Sequence, residues 1–211
     1  MIGSQDVCSG FFVTQRFVTQ ASQSSWDRRA KLDVFHATPS AQSACGMEDF
    51  MKVVDMHCDT IAALYENKEK GWTLQDNRLH IRLDKMKQGD YLLQNFALFV
   101  CIENCEDPYQ QALTLADCFD RQMALFPEQI GQVRCYNDIL ENQKNGRMSA
   151  LLTIEEGAVC QGSLEKLREF YDRGVRMLTL TWNFPNEIGF PNFAISGDAS
   201  RIGRFRIRRM G

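Results

Sequence analysis

The chain has 211 residues, of which 44% are hydrophobic and 24% are charged, with a formal net charge of −3 at pH 7. This size and apolar content suit one globular domain with a substantial core, and they exclude a disordered chain. The longest uninterrupted apolar stretch, residues 96–102, is far too short to cross a bilayer, so we expect no membrane span.

The two ends of the chain differ in composition from its middle. Residues 1–50 are rich in Ser, Gln, Thr and Ala without a sustained helical or strand period, which predicts a poorly ordered N-terminal extension. This stretch lacks the basic start and long apolar segment of a secretory signal. At the other end, residues 199–211 form a tail with five arginines and no acid. Aromatic residues are too sparse in that tail to favour nucleic-acid binding, so we expect no nucleic-acid partner.

Eight cysteines occur in the sequence, and no two of them form a Cys-x-x-Cys pair. Several lie inside apolar periodic segments, where a thiol packs as a small hydrophobic side chain. We therefore interpret them as mostly reduced thiols in a cytoplasmic protein. Cys101 and Cys105 are close in sequence, but without a neighbouring histidine we interpret them as packed thiols rather than as a metal site.

The first predicted element of the core is a strand that ends in two metal-ligating residue types. Residues 53–60 read Val-Val-Asp-Met-His-Cys-Asp-Thr, an apolar β-branched start followed by a His-x-Asp pair. Alternate side chains of a strand point to one side, so His57 and Asp59 can converge just past its carboxyl end. Imidazole nitrogen and carboxylate oxygen suit zinc or a similar divalent ion.

Strands and helices alternate along the rest of the predicted core. Apolar runs predict strands at 92–102, 148–154 and 175–181, and helical spacing predicts helices at 61–70, 109–126, 136–145 and 163–172. Such alternation calls for parallel strands joined by right-handed crossovers, so the fold class is α/β. Ligands in these folds gather beyond the carboxyl ends of the strands. The residues that fall there are His57, Asp59, Glu155, Glu156 and Asn183, and three of them could hold one metal.

Three motifs, in this order, resemble the membrane (renal) dipeptidase family. They are Val-Asp-Met-His-Cys-Asp-Thr at residues 54–60, Leu-Thr-Ile-Glu-Glu-Gly at 152–157 and Gly-Val-Arg-Met-Leu-Thr-Leu-Thr-Trp-Asn at 174–183. The resemblance covers residues 51–198 and corresponds to the first half of that family's barrel. It implies a TIM-like (β/α) barrel of the metal-dependent hydrolase type, of which this chain would hold about four βα units.

The resemblance also implies a function, the zinc-dependent hydrolysis of dipeptides. The family holds two zinc ions that share a bridging carboxylate, so His57 and Asp59 would bind one ion and Glu155 would bridge both. Trp182 and Asn183 would lie on the substrate side, although Trp182 stands where some members have a histidine. Glu156 stands where many members have glycine, so we interpret it as a solvated loop acid and only second as a ligand.

Part of the family's site has no counterpart in this sequence. Members use two further histidines for the second zinc and a later aspartate, whereas this chain has no histidine after His80 and no acid after Asp198. His80 follows the first helix, and we interpret it as an exposed or packing residue. We therefore expect at most one well-liganded zinc. A reading-frame shift or premature stop near residues 197–202 would explain the arginine-rich tail, and we expect impaired activity from such a chain.

Two other interpretations stay open on the sequence alone. The chain could be another metal-dependent hydrolase of the amidohydrolase type, which would cleave acyl or phosphoester bonds rather than dipeptides. It could also be a non-catalytic half-barrel that keeps one metal at most. The open strand edges of a half-barrel would favour self-association, including a homo-oligomer. The number of bound zinc ions separates these interpretations.

Overall fold

All the strands that the structure describes lie side by side in one parallel sheet. The computed structural model describes residues 12–14 and 52–191 of the chain. The strands are β1 (Phe12–Thr14), β2 (Val53–Cys58), β3 (Tyr91–Phe99), β4 (Ile130–Gln132), β5 (Met148–Glu155) and β6 (Val175–Thr179), and the helices are α1 (Thr60–Glu66), α2 (Leu83–Gln88), α3 (Pro108–Leu125), α4 (Tyr136–Lys144) and α5 (Leu164–Asp172). From β2 to β6, each strand is separated from the next by at least one helix, as parallel connections require.

β5 is the strand with the most partners. The sheet order is β1-β6-β5-β3-β2, and β4 also pairs with β5. On one side, residues 149–155 of β5 pair with β3. On the other side, β5 pairs first with β4, from Met148 to Ala150, and then with β6, from Leu152 to Glu155. The carboxyl ends of β2, β3, β5 and β6 therefore meet at one edge of the sheet, here called the carboxyl edge.

One face of the sheet is covered by helices and carries the apolar core. Alternate strand residues are buried in this core, namely Phe96 and Leu98 of β3 and Leu152 and Ile154 of β5. Helix α3 contributes Phe119, whose ring centroid lies 5.9 Å from that of Phe96. Full burial of one such side chain stabilises the fold by about 1.5–3 kcal/mol.

The opposite face of the sheet is more polar. Asn95 of β3 and Thr153 of β5 are buried there, and the amide nitrogen of Asn95 lies 4.0 Å from the sulfur atoms of Met56 and Met177. Side chains two residues apart on a strand share a face, so Glu155 lies on the same face as Thr153. The predicted ligand Glu155 therefore lies on this polar face, at the carboxyl edge.

Local signals place the ends of the helices. Asp107 caps α3 by accepting a hydrogen bond at 3.2 Å from a backbone N–H of the first turn. Ser163 caps α5 in the same way, accepting a hydrogen bond at 3.4 Å. Gly174, between α5 and β6, has a φ of 103°, and a Cβ atom there would come within 2.3 Å of the Gln132 side chain. Only glycine fits this turn, which allows β6 to begin directly after the helix.

The predicted strands and helices of the core are confirmed as elements, with changes at their boundaries. The strand predicted at 92–102 ends at Phe99, because Ile102–Asn104 forms a 3-10 turn. The helix predicted at 61–70 ends at Glu66, before a second 3-10 turn. Neither β4 nor α2 is predicted, because with three and six residues they show too little of the strand or helix period.

Much of both predicted chain ends lies outside the described residues. Within the predicted extension at 1–50, the structure describes Phe12–Thr14, which forms β1 and pairs with β6. No strand is predicted there, because three residues show no sustained period. The arginine-rich tail at 199–211 is not among the described residues, so its character stays a prediction.

The cysteines of the described part of the chain are all free thiols, as the sequence predicts. They are Cys58, Cys101, Cys105, Cys118, Cys135 and Cys160. Burial raises the pKa of the Cys58 thiol to about 11 and that of Cys160 to about 12, which keeps both thiols protonated and poorly reactive. Among the described helices, none combines the length and the apolar character that a membrane crossing needs.

Candidate metal centre

Three side chains that the sequence predicts as ligands converge at the carboxyl edge. His57 is the penultimate residue of β2, Asp59 follows that strand, and Glu155 is the last residue of β5. His57 Nε2 lies 3.0 Å from Glu155 Oε2 and 3.2 Å from Asp59 Oδ1. One potential ligand atom from each residue lies within 4.8 Å of the other two. Across residues 52–191 and 12–14, no other group of three His, Cys, Asp or Glu side chains is arranged in this way.

An irregularity in β2 sets the direction of the histidine. Between two contacts with β3, strand β2 advances three residues, from Asp55 to Cys58, while β3 advances two. Such a bulge redirects the side chains beside it. Cys58 packs against the helix-covered core, and the Asp55 carboxylate accepts a hydrogen bond from the backbone N–H of His57 at 3.1 Å. The bulge thus leaves the His57 imidazole free to face Glu155 across the polar side of the sheet.

The geometry around His57 fits a cation better than it fits a hydrogen bond. Nε2 is buried and makes no hydrogen bond, although two carboxylate oxygens lie within 3.2 Å of it. These oxygens lie off the N–H direction. A buried nitrogen without a well-directed hydrogen bond costs free energy, which a divalent ion among the three side chains would recover. One imidazole nitrogen with two carboxylates is also a donor set that suits zinc.

The two carboxylates change the protonation of the imidazole. Asp59 first, and Glu155 second, raise the pKa of His57 to about 9, against the opposing effect of partial burial. At neutral pH the imidazole therefore carries a proton. A metal ion that binds at Nε2 has to displace this proton.

Glu156 does not have the environment predicted from the sequence. The interpretation as a solvated loop acid is wrong, because the residue is completely buried. One of its carboxylate oxygens accepts a hydrogen bond from Ala158 N at 3.0 Å, and the other accepts one from Trp182 N at 3.2 Å. Glu156 is absent from the group of three described above, so its carboxylate has a structural environment rather than that of a ligand.

The two residues predicted to face substrate lie in the loop after β6. The Trp182 ring packs edge-on against Phe99, with centroids 4.9 Å apart. Phe99 and Glu155 are paired residues of β3 and β5, so the indole stands beside the strand ends that carry Glu155. Asn183 is half-buried in the same loop. The contact of Phe99 with Trp182 could not be predicted, because in the sequence Phe99 is one of several apolar residues of a strand.

The other candidate ligands lie apart from this centre. His80 is exposed in the loop before α2, as the sequence predicts, and it is absent from the group of three. Cys101 and Cys105 border a separate cavity of about 290 Å³ that is also lined by residues of α1 and α3. Neither thiol belongs to the centre, which agrees with their interpretation as packed thiols.

Comparison of the sequence with known proteins points to one family. The profile of the family described as membrane dipeptidase (peptidase family M19) matches residues 42–197. Dipeptidase 3 of Rattus norvegicus is 31% identical to the chain over 151 residues, which make up 67% of this chain and 29% of that protein. The chain thus spans less than a third of the length of the curated relatives that it matches.

Solved structures share the fold over about half of their length. The dipeptidase AC, described as a metallopeptidase of family M19, matches with a TM-score of 0.58 at 23% identity, over 66% of this chain and 45% of that chain. A metallopeptidase from Rhodobacter sphaeroides, liganded with a phosphinate mimic of the dipeptide L-Ala-D-Ala, matches with a TM-score of 0.58 at 21% identity, over 66% of this chain and 48% of that chain. At these identities the likeness concerns the fold, and it confirms the predicted α/β architecture of alternating βα units.

Proposed function

The chain belongs to the membrane dipeptidase family, peptidase family M19, and from this premise we propose that it is a zinc-dependent peptide hydrolase that acts on dipeptides. The observation that carries the proposal is the convergence of His57, Asp59 and Glu155 around a buried nitrogen that has no hydrogen bond. These residues come from two strands that are not neighbours in the sheet. Packing of the core does not explain why three ionisable side chains, of which only Glu155 is buried, meet at one point.

Each of the three residues has a distinct part in the proposed site. His57 supplies a nitrogen once its proton has left, and Asp59 supplies a carboxylate from the exposed side. Glu155, almost fully buried at the end of the central strand, holds its carboxylate in a fixed place relative to the loop after β6. When bound, a divalent ion supplies Lewis acidity that polarises a carbonyl group and makes a nearby water molecule a better nucleophile.

A dipeptide is the substrate class that we propose. Support comes from the family and from the Rhodobacter sphaeroides metallopeptidase, whose structure holds a mimic of L-Ala-D-Ala. In this chain, Trp182 would provide an apolar wall beside the centre, against which a small side chain can pack. Asn183 would provide an amide, which can both donate to a terminal carboxylate and accept from a terminal amine.

One observation favours a second candidate, a non-catalytic module that binds a single ion. The resemblance in sequence implies two zinc ions, whereas one group of potential ligands occurs among the described residues. Stoichiometry separates the candidates. Two ions per chain favour the hydrolase, one ion favours the module, and binding of none would contradict the metal centre.

Zinc titration of the wild-type protein and of His57→Ala tests the metal centre. Competition with a chromophoric chelator gives both the affinity and the number of ions bound. We expect the wild type to bind zinc and His57→Ala to lose binding, because the variant removes the only nitrogen of the donor set. The matched control is His80→Ala, which removes an exposed histidine outside the centre and leaves zinc binding unchanged.

Hydrolysis tests the substrate class. The zinc-loaded protein is incubated with L-Ala-D-Ala, and released alanine is measured for the wild type and for both variants. We expect release by the wild type and by His80→Ala, and none by His57→Ala. Equal zinc binding in wild type and His57→Ala would contradict the metal centre. Cleavage of acyl or phosphoester bonds without cleavage of the dipeptide would instead favour another hydrolase of the amidohydrolase type.

A further inference from the structure

Glu156 is the most deeply buried ionisable side chain at the carboxyl edge, and the proposed hydrolysis does not use it. Its relative exposure is 0%, although it directly follows the candidate ligand Glu155. Its φ of 106° lies in a region that residues with a side chain rarely adopt, and such a conformation costs on the order of 1–3 kcal/mol. A buried carboxylate on a strained backbone persists only where its neighbours compensate for both costs.

The compensation comes from three N–H donors that belong to two different segments. One oxygen of Glu156 accepts hydrogen bonds from Ala158 N and from the side-chain nitrogen of Asn186. The other oxygen accepts the hydrogen bond from Trp182 N, at 3.2 Å. Two of these donors lie in the loop of residues 180–189 that follows β6, here called the β6 loop. The carboxylate therefore connects the turn after β5 to the β6 loop.

Asn186 organises the β6 loop around this carboxylate. Its side-chain nitrogen also donates to Leu180 O at 2.8 Å, and its side-chain oxygen accepts from Ile188 N at 2.8 Å and from Gly189 N at 3.1 Å. One side chain thus bonds both ends of the loop and, at the same time, the acid. Loss of the Asn186 side chain would break its hydrogen bonds within the β6 loop as well as the one to Glu156.

Gly157 allows the two segments to approach each other. A Cβ atom at this position would lie 2.5 Å from Leu180 O and 2.6 Å from the side chain of Ile188. Any larger residue would push the β6 loop away from the turn after β5. Glu156, Gly157 and Asn186 together form what we call the clasp.

We infer that Glu156 is a positioning residue, whose carboxylate holds the backbone of Trp182 and, through Asn186, the whole β6 loop in place beside the metal centre. The backbone N–H of Trp182 joins the clasp directly to the segment proposed to face substrate. The consequence for substrate binding rests on the proposed function, whereas the clasp itself stands on the hydrogen bonds above. Loss of the carboxylate would move the indole of Trp182 away from Phe99 without removing a metal ligand.

The isosteric variant Glu156→Gln tests the hydrogen bond between the Glu156 carboxylate and the backbone N–H of Trp182. A glutamine keeps the size of the side chain but offers only one acceptor oxygen, and its NH₂ group would face an N–H donor. If the oxygen serves Ala158 and Asn186, the bond to Trp182 N is lost. Asn186→Ala reaches the same loop without changing the strained residue, and it serves as the second variant should Glu156→Gln fail to fold. Glu187→Gln, an exposed change in the same loop, is the matched control.

Tryptophan fluorescence distinguishes positioning from a general loss of structure. The sequence has three tryptophans, so Trp182 is observed alone in a Trp26→Phe, Trp72→Phe background, and Trp72 alone in a Trp26→Phe, Trp182→Phe background. We expect Glu156→Gln and Asn186→Ala to shift the Trp182 emission to the red and to raise its quenching by acrylamide. Glu187→Gln leaves Trp182 unchanged. Trp72, in the loop after α1, stays unchanged in all three variants.

Binding of zinc and of the dipeptide mimic keeps the two proposals separate. Zinc stoichiometry stays that of the wild type in Glu156→Gln, while the phosphinate mimic of L-Ala-D-Ala binds more weakly. Unchanged Trp182 fluorescence in both Glu156→Gln and Asn186→Ala would overturn the inference, and so would an equal change at Trp72. If the wild type binds neither zinc nor the mimic, the proposed function fails. The Trp182 fluorescence of the variants then still shows whether Glu156 positions the β6 loop.

Discussion

His57 is placed between two carboxylates that stabilise its proton and would also bind the same metal ion. Without an ion, the negative charge of Asp59 and Glu155 favours the imidazolium and raises the pKa of His57 to about 9. With an ion, the same charge offsets that of the cation and the imidazole must be neutral. Proton and metal therefore compete for Nε2 of His57. Whichever of the two is bound, a positive charge lies beside the carboxylates of Asp59 and Glu155.

Zinc affinity should rise with pH as a result. Below a pH of about 9 the metal-free protein holds a proton on His57, which zinc has to displace. The apparent zinc affinity therefore falls by about tenfold for each pH unit below this pKa. Above that pH the increase levels off. Chelator competition at a series of pH values between about 6 and about 10 measures the slope. An affinity that does not change over this range would contradict a role of the His57 nitrogen as ligand.

The packing between α3 and β3 holds the sheet that carries the centre. Phe119 of α3 is fully buried against Phe96, so we expect Phe119→Ala to lower the free energy of unfolding by about 3–5 kcal/mol. Leu125→Ala, at the end of the same helix, changes a side chain that is 57% exposed, and we expect a change within about 0.5 kcal/mol. Urea denaturation measures both. Phe119→Leu should give an intermediate loss, and equal effects of Phe119→Ala and Leu125→Ala would contradict this account of the core.

The elements could be predicted where their sequence period was long and could not be predicted where a contact between distant residues decided the structure. Helix α3 shows apolar residues at helical spacing over its whole length, and its structure follows that pattern. β4 is a strand because Ile130 to Gln132 pair with β5, and three residues cannot show a period. The β2 bulge that directs His57 likewise depends on its register with β3 and has no signal in the sequence.

For the candidate centre, the sequence identified the candidate ligands but not their surroundings. His57, Asp59 and Glu155 could be identified because parallel strands bring their carboxyl ends together, and the structure brings the three side chains within reach of one another. Glu156 could not be placed, because an acid after a strand reads as a loop residue. Its burial depends on donors from Trp182 and Asn186, which are far away in sequence.

At the scale of the whole molecule, β2 forms one end of the described sheet and exposes apolar side chains. It pairs with β3 alone among the described strands, and Val54 is 47% exposed. Such an edge can pair with another chain. We therefore expect Val54→Lys to reduce concentration-dependent self-association, measured by sedimentation velocity, and to leave zinc binding unchanged. Leu164→Lys, at a position that is 52% exposed on α5, is the control. Equal self-association of wild type and Val54→Lys would show that another surface is used.

The unequal pairing of the strands also bears on how an ion would leave the centre. β5 has β3 on one side and β4 and β6 on the other, whereas β2 has a single described neighbour. Local opening is easiest where few hydrogen bonds have to break, so amide protons of β2 should exchange with solvent well before those of β5. The imidazole of His57 would then withdraw together with Asp59 while Glu155 stays in place. Release of the ion would thus follow the fraying of one strand rather than the unfolding of the protein, and its rate would be set by the edge of the sheet.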